Sequence, residues 1–106
     1  MTTTITTTTG STTVLSERAW QQQVTDLAAL CGWRWYHTQN SRRSPAGFPD
    51  LTLVRGGRLV FAELKTERGR VTTAQQAWLD ALGHCQGVLV FVWRPADFAE
   101  VLAVLR

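Results

Sequence analysis

Asp50, Glu63 and Lys65 are the residues whose types and spacing could carry chemistry. Glu63 and Lys65 stand two apart in an apolar, partly β-branched run, and that spacing turns both side chains to one face of a strand. Asp50 follows Pro49 at the head of the preceding apolar run. Phe61 shares the parity of Glu63 and Lys65, so charges converge on a core-like face, where they are costly unless paired or bound to a cation. Two carboxylates a few ångström apart repel, and a hard divalent cation relieves the repulsion. Mg²⁺ suits this set, since it takes one or two carboxylates, water and a substrate phosphate; Mn²⁺ is expected to substitute, and the Leu64 backbone carbonyl offers a further oxygen. Zinc would call for His or Cys ligands that are not grouped here. The chemistry such a centre would perform is phosphodiester hydrolysis, with the cation activating water and Lys65 orienting that water or offsetting developing negative charge. The same spacing also fits a plainer arrangement: Asp50 as a turn residue after proline, and Glu63 with Lys65 as a charge pair on a solvated face.

The elements that must position these residues are legible in the pattern. Ser16 is a good N-cap with Leu15 and Trp20 at staple spacing, and Trp20, Val24, Leu27 and Cys31 recur at helical intervals before Gly32, predicting a helix over 16–31. Trp33 to His37 favours a strand, and Thr38 to Gly47 reads as a polar, basic loop. Leu51 to Val54 and Leu59 to Leu64 flank Gly56-Gly57 as a β-hairpin. Thr72 caps a second helix with Trp78, Leu79 and Leu82 as its apolar stripe, Val88 to Trp93 is a buried-type strand, and Pro95 and Asp97 open a last helix carrying Phe98, Val101, Leu102 and Leu105. The order αβββαβα implies an α/β fold with a mixed sheet of about four strands flanked by helices.

A chain of 106 residues has room for one core, placed at 16–106, behind a Thr-rich stretch over 1–15 that is too poor in apolar surface to order itself. No apolar run approaches the length of a membrane span and no signal core is present, so a soluble, cytoplasmic protein is expected, in the host cell if the chain is phage-encoded. Cys31 and Cys85 lack any metal or redox spacing and are expected to be small buried apolar residues. The net charge of +3 is unevenly spread: Arg34 to Arg70 holds 8 basic and 3 acidic residues, the rest of the chain 3 and 5. Such concentration is what a polyanion-binding face requires.

Pro49-Asp50, twelve intervening positions and Glu63-Leu64-Lys65 together resemble the signature of the PD-(D/E)XK nuclease superfamily. The surroundings are more specific. Gly47-Phe48-Pro49-Asp50-Leu51, Phe61-Ala62-Glu63-Leu64-Lys65, the Gly69 to Thr72 turn, Gln75 ahead of Trp78-Leu79, and Val92-Trp93-Arg94-Pro95 resemble the virus-type replication-repair nucleases, the VRR-Nuc family, over roughly residues 16–105. The resemblance implies a restriction-endonuclease-like core and a Mg²⁺-dependent DNA endonuclease selective for branched, flap or junction DNA in phage replication, recombination or repair. It assigns Asp50 and Glu63 to the metal, Lys65 to catalysis, Gln75 to a position near the site and Glu17 to a further acidic position. A homodimer that sets two sites on one junction is expected by analogy.

Each secondary assignment has a plainer counterpart. Glu17 lies about 50° from the centre of the first helix's apolar stripe, so it can reach inward or serve as a charge at a helix N-terminus. Gln75 stands three after Thr72 and could simply complete a capping box. His37 could touch substrate or be an ordinary hydrogen-bonded histidine, and His84 reads as a C-terminal helix charge. Arg42, Arg43, Arg68 and Arg70 are candidate phosphate contacts or solvated loop residues. Trp20, Trp78 and Trp93 fit the core better than a stacking surface. A DNA-binding protein that does not cleave, or a nuclease-fold subunit of a larger DNA-processing complex, is the alternative function. A lost acid or lysine would mark the former, and none is lost.

Overall fold

A computed structural model describes residues 14–39 and 42–106. The Thr-rich stretch, as far as residue 13, and Asn40 and Ser41 of the basic loop lie outside the described residues. The elements follow in the expected order: α1 (Glu17–Leu30), β1 (Arg34–His37), β2 (Leu51–Arg55), β3 (Arg58–Leu64), α2 (Thr73–Gly83), β4 (Val88–Trp93), a 3₁₀ turn (Pro95–Asp97) and α3 (Phe98–Leu105).

Ser16 caps α1, its hydroxyl accepting from the Ala19 amide at 3.1 Å, and Trp20, Val24 and Ala28 form the fully buried stripe. The helix stops where Gly32 takes φ +83°, a conformation that only glycine adopts cheaply. Gly56 and Gly57, at φ 55° and 81°, close the β2–β3 hairpin in the doubly positive geometry that matches strand twist. β1 and β2 pair antiparallel, as do β2 and β3, whereas β4 returns through α2 to lie parallel to β3, giving the order β1-β2-β3-β4. The mixed sheet predicted from the pattern is therefore present, with helices on both faces.

One face carries the main core. Leu51, Leu53, Val60, Ala62, Leu64 and Trp93 meet Trp20, Val24 and Ala28 of α1 and Val101 and Leu105 of α3. The other face, under α2, is smaller and aromatic: Phe48 lies edge-on to Phe61 at 5.6 Å and to Trp78 at 5.0 Å. A single carbonyl ties the layers together at the end of β4. Trp93 O accepts from the Lys65 amide at 3.0 Å and from the Trp20 indole at 3.0 Å.

Several expectations need correction. Cys85 is exposed and Cys31 only half-buried: Cys31 caps the end of α1, and Cys85 falls past the end of α2, where no partner element covers it. Pro95 and Asp97 form a 3₁₀ turn ahead of α3 rather than its first turn, and the buried stripe of α3 narrows to Val101 and Leu105 while Phe98 and Leu102 stay exposed. The basic window is not one face either. Arg55 donates to the carbonyls of Cys31 at 2.8 Å, Leu105 at 3.0 Å and Arg106 at 3.2 Å, closing the ends of α1 and α3. Its guanidinium lies 4.7 Å from the Trp33 ring centre and that of Arg58 5.2 Å. Both sit at the hairpin turn, the opposite end of the strands from Asp50 and Glu63, and Arg55 satisfies helix carbonyls rather than a ligand.

Candidate active site

The hairpin register pairs Leu51 with Ala62, and one step further along it sets Asp50 beside Glu63. Each side chain is then fixed by a different contact. Asp50 Oδ2 accepts from the Leu64 amide at 2.8 Å, and its backbone carbonyl accepts from the Thr38 amide at 2.8 Å. Thr38 Oγ1 donates to the Pro49 carbonyl at 2.7 Å, pinning the end of β1 over the Pro49-Asp50 step. Glu63 is 1% exposed. Its Oε2 lies 3.3 Å from Lys65 Nζ, and its Oε1 has no hydrogen-bond partner. Burial and the neighbouring Asp50 carboxylate push the Glu63 carboxyl up to about 7, against the pull of Lys65. The face is neither solvated nor merely paired, so the plain reading of Glu63 and Lys65 as a surface charge pair does not describe it.

These three residues form the floor of a cleft of about 470 Å³ that Glu17, His37 and Gln75 also line. α1 presents Glu17, the end of β1 presents His37, and the first turn of α2 presents Gln75, so the five residues expected in the centre line one cleft together with His37, a candidate substrate contact. For Gln75 both readings hold. Its Oε1 accepts from the Thr72 amide at 2.9 Å while its own amide donates to Thr72 Oγ1 at 3.1 Å, a complete capping box, and the residue still borders the cleft.

Gln21, Thr38 and Gln39 also line the cleft and were not anticipated. Gln21 had a usable signal, since it stands four after Glu17 and so shares its helical face. Thr38 and Gln39 follow from where β1 ends against β2, which a single strand's pattern does not reveal. Arg42, Arg43, Arg68 and Arg70 do not line the cleft; all are exposed, on the loop after Gln39 and the loop after Lys65.

Two contacts hold the surrounding loops. Arg94 donates to the carbonyls of Thr66 at 2.6 Å, Gly69 at 2.7 Å and Glu67 at 3.4 Å, fixing the segment that follows Lys65. Gly47, at φ +101°, lies against the start of α2 so closely that a Cβ there would come within 2.6 Å of the Ala74 backbone and 2.8 Å of the Gln75 amide nitrogen. That contact sets the distance between the basic loop and Gln75.

The donor set suits a hard divalent ion. A buried carboxylate oxygen without a partner is costly and calls for a cation or proton, and the Asp50 carboxylate is its neighbour across the hairpin. Among the described residues no group of three or more His, Cys, Asp and Glu side chains forms a cage. Mg²⁺ needs no such cage, because it keeps water and substrate oxygens in its shell.

With this geometry in view, the sequence matches the profile of the VRR-NUC domain over residues 7–97. A solved structure described as a VRR_NUC domain protein is similar in fold, with a TM-score of 0.65 and 21% identity, covering 87% of this chain and 86% of that one. No curated protein matches the sequence significantly. No helix among the described residues is long and apolar enough to cross a membrane.

Proposed function

The chain belongs to the VRR-NUC domain family, a nuclease-type domain, and from that premise we propose that it is a Mg²⁺-dependent endonuclease hydrolysing DNA phosphodiester bonds, selective for branched, flap or junction DNA in phage replication, recombination or repair. The observation that carries the reading is Glu63: buried, beside Asp50, ion-paired to Lys65 and left with one oxygen unsatisfied. A carboxylate so placed stabilises nothing by itself; it makes sense as half of a cation site.

Asp50 and Glu63 would hold the ion, with the Leu64 carbonyl as a further oxygen and Mn²⁺ able to replace Mg²⁺. When bound, the ion polarises the scissile phosphate and lowers the pKa of attacking water. Lys65 does two things from one position: its charge favours the ionised Glu63 that a cation requires, and its ammonium protons orient water and offset charge building on the phosphate oxygens. Gln75, whose Oε1 is engaged in the cap, borders the same cleft and keeps its side-chain amide protons as donors for a water or phosphate oxygen there. Glu17 and His37 also line the cleft. Arg42, Arg43, Arg68 and Arg70 lie on loops outside it, where contacts with backbone phosphates position the strand without reading its sequence. A homodimer would present two such clefts to a four-way junction.

The test is cleavage of labelled four-way junction, flap, duplex and single-stranded DNA in Mg²⁺, in Mn²⁺ and in chelator, beside Glu63→Ala and Lys65→Ala. Metal-dependent cutting that both substitutions abolish is the expected result. Salt-sensitive DNA binding without cutting in either metal would overturn the reading in favour of a binding protein.

A further inference from the structure

A second cleft of about 460 Å³ adjoins the first and shares Thr38 and Gln39 with it. Its walls are aromatic, from Tyr36, Phe48 and Trp78, with the polar edges of Gln39 and Ser44. We infer that this groove takes one unpaired nucleobase of the strand whose phosphate is cut over Asp50 and Glu63, an inference that rests on the nuclease reading.

The sheet supplies the geometry. Tyr36 pairs with Thr52, and Thr52 with Phe61, across the face that α2 partly covers. The next row on that face contains Thr38, Asp50 and Glu63, two residues further along and therefore about 7 Å away. A base attached to a phosphate above the carboxylates reaches about that far. Tyr36 is 65% exposed and makes no ring contact among the described residues. A large aromatic side chain standing free beside a polar cleft is a stacking surface in search of a flat partner. Phe48 is the fixed counterpart, held edge-on between Phe61 and Trp78. The Gln39 amide and Ser44 hydroxyl offer donors and acceptors to the edge of a base that has lost its pairing partner. A paired base keeps that edge engaged and its faces stacked, so the groove selects for unpaired nucleotides rather than for sequence.

The experiment uses the full chain in chelator, where no cutting occurs, with duplexes that carry one unpaired 2-aminopurine, an unpaired abasic residue in its place, or complete pairing. The native protein and Tyr36→Phe should quench the 2-aminopurine and prefer its duplex over the abasic one. Tyr36→Ala should lose about tenfold in affinity for the unpaired base, the scale of one stacked base, and bind the abasic and paired duplexes as the native protein does. Circular dichroism confirms that the exposed substitution leaves the fold intact. Equal affinity of Tyr36→Ala and native protein for the unpaired base, or a loss equal on all three duplexes, would overturn the inference. So would the absence of quenching in a protein that cuts DNA in Mg²⁺, leaving the nuclease reading standing. Neither binding nor cutting would overturn both.

Discussion

Glu63→Gln should make the protein more stable at pH 8 in chelator. Glu63 sits in the folded protein with its carboxyl raised from 4.5 to about 7, so folding favours its protonated form. The raised value is a stability linkage of known sign. Below pH 4.5 the carboxyl is neutral folded and unfolded and costs nothing. Between pH 4.5 and about 7 the unfolded chain ionises while the folded one resists, and stability drains away as pH rises; above about 7 the full penalty is present. A shift of this size corresponds to about 3 kcal/mol at roughly 1.4 kcal/mol per unit, undiminished by solvent because the side chain is 2% exposed. Glutamine approximates the neutral acid in shape, so the variant escapes the penalty. For a domain this small the gain amounts to on the order of 15 °C in Tm. The assay is a pair of thermal melts at pH 4.5, 6 and 8, where the difference between the two proteins cancels the titrating groups that do not touch Glu63, leaving Glu63 with its neighbours Asp50 and Lys65. Native and variant proteins should melt together at pH 4.5 and diverge steadily to pH 8. Adding Mg²⁺ at pH 8 should then raise the native Tm alone and narrow the gap, since only the ionised carboxylate rewards the cation. A difference that does not vary with pH, or a variant less stable at pH 8, would refute the account of Glu63 as a charge stored for a cation.

Gly47→Ala should lose about 2 kcal/mol in urea unfolding, because φ +101° is strained for any side chain and the added carbon meets α2 backbone that cannot yield cheaply; a loss below about 0.5 kcal/mol would show that the loop and α2 separate freely. Arg94→Met should cost about 3 kcal/mol through its carbonyl partners, and trypsin should cut after Arg68 and Arg70 faster than in the native protein, as fragment masses would report. Arg42→Ala and Arg68→Ala should each lower the slope of log affinity against log salt by about 1 on every DNA tested, without moving the cut position; an unchanged slope would remove those residues from the phosphate track.

The fold was legible where local chemistry dictates it. Ser16 and Thr72 as caps and Gly56-Gly57 as a turn are decided by backbone preferences that operate within a few residues, and the two-residue spacing of Glu63 and Lys65 fixes their common face. The register between strands was less legible. Nothing near Asp50 in the chain announces that Glu63 lies beside it; the convergence expected of the two carboxylates rested on a Gly-Gly turn of fixed length. Thr38 and Gln39 reached the cleft through the β1–β2 pairing, which no short turn determines. Charge misled most. Arg55 and Arg58 carry the same side chain as Arg42, yet Arg55 is consumed by backbone carbonyls at the helix ends and both guanidinium groups lie against the Trp33 ring. Cys85 misled for the related reason that residue type predicts burial only where another element arrives to cover it.

The carbonyl of Trp93 has a consequence beyond cohesion. By receiving both the Lys65 amide and the Trp20 indole, it gives the lysine and α1 a common point of reference. α1 delivers Glu17 and Gln21 to the same cleft that Lys65 lines. The two are thus gauged from one atom, and a substitution that moves the Trp20 indole is expected to move the Lys65 backbone with it. Trp20 behaves less as filling than as a ruler, and substitutions along α1 belong with those of the cleft when activity is mapped onto the chain.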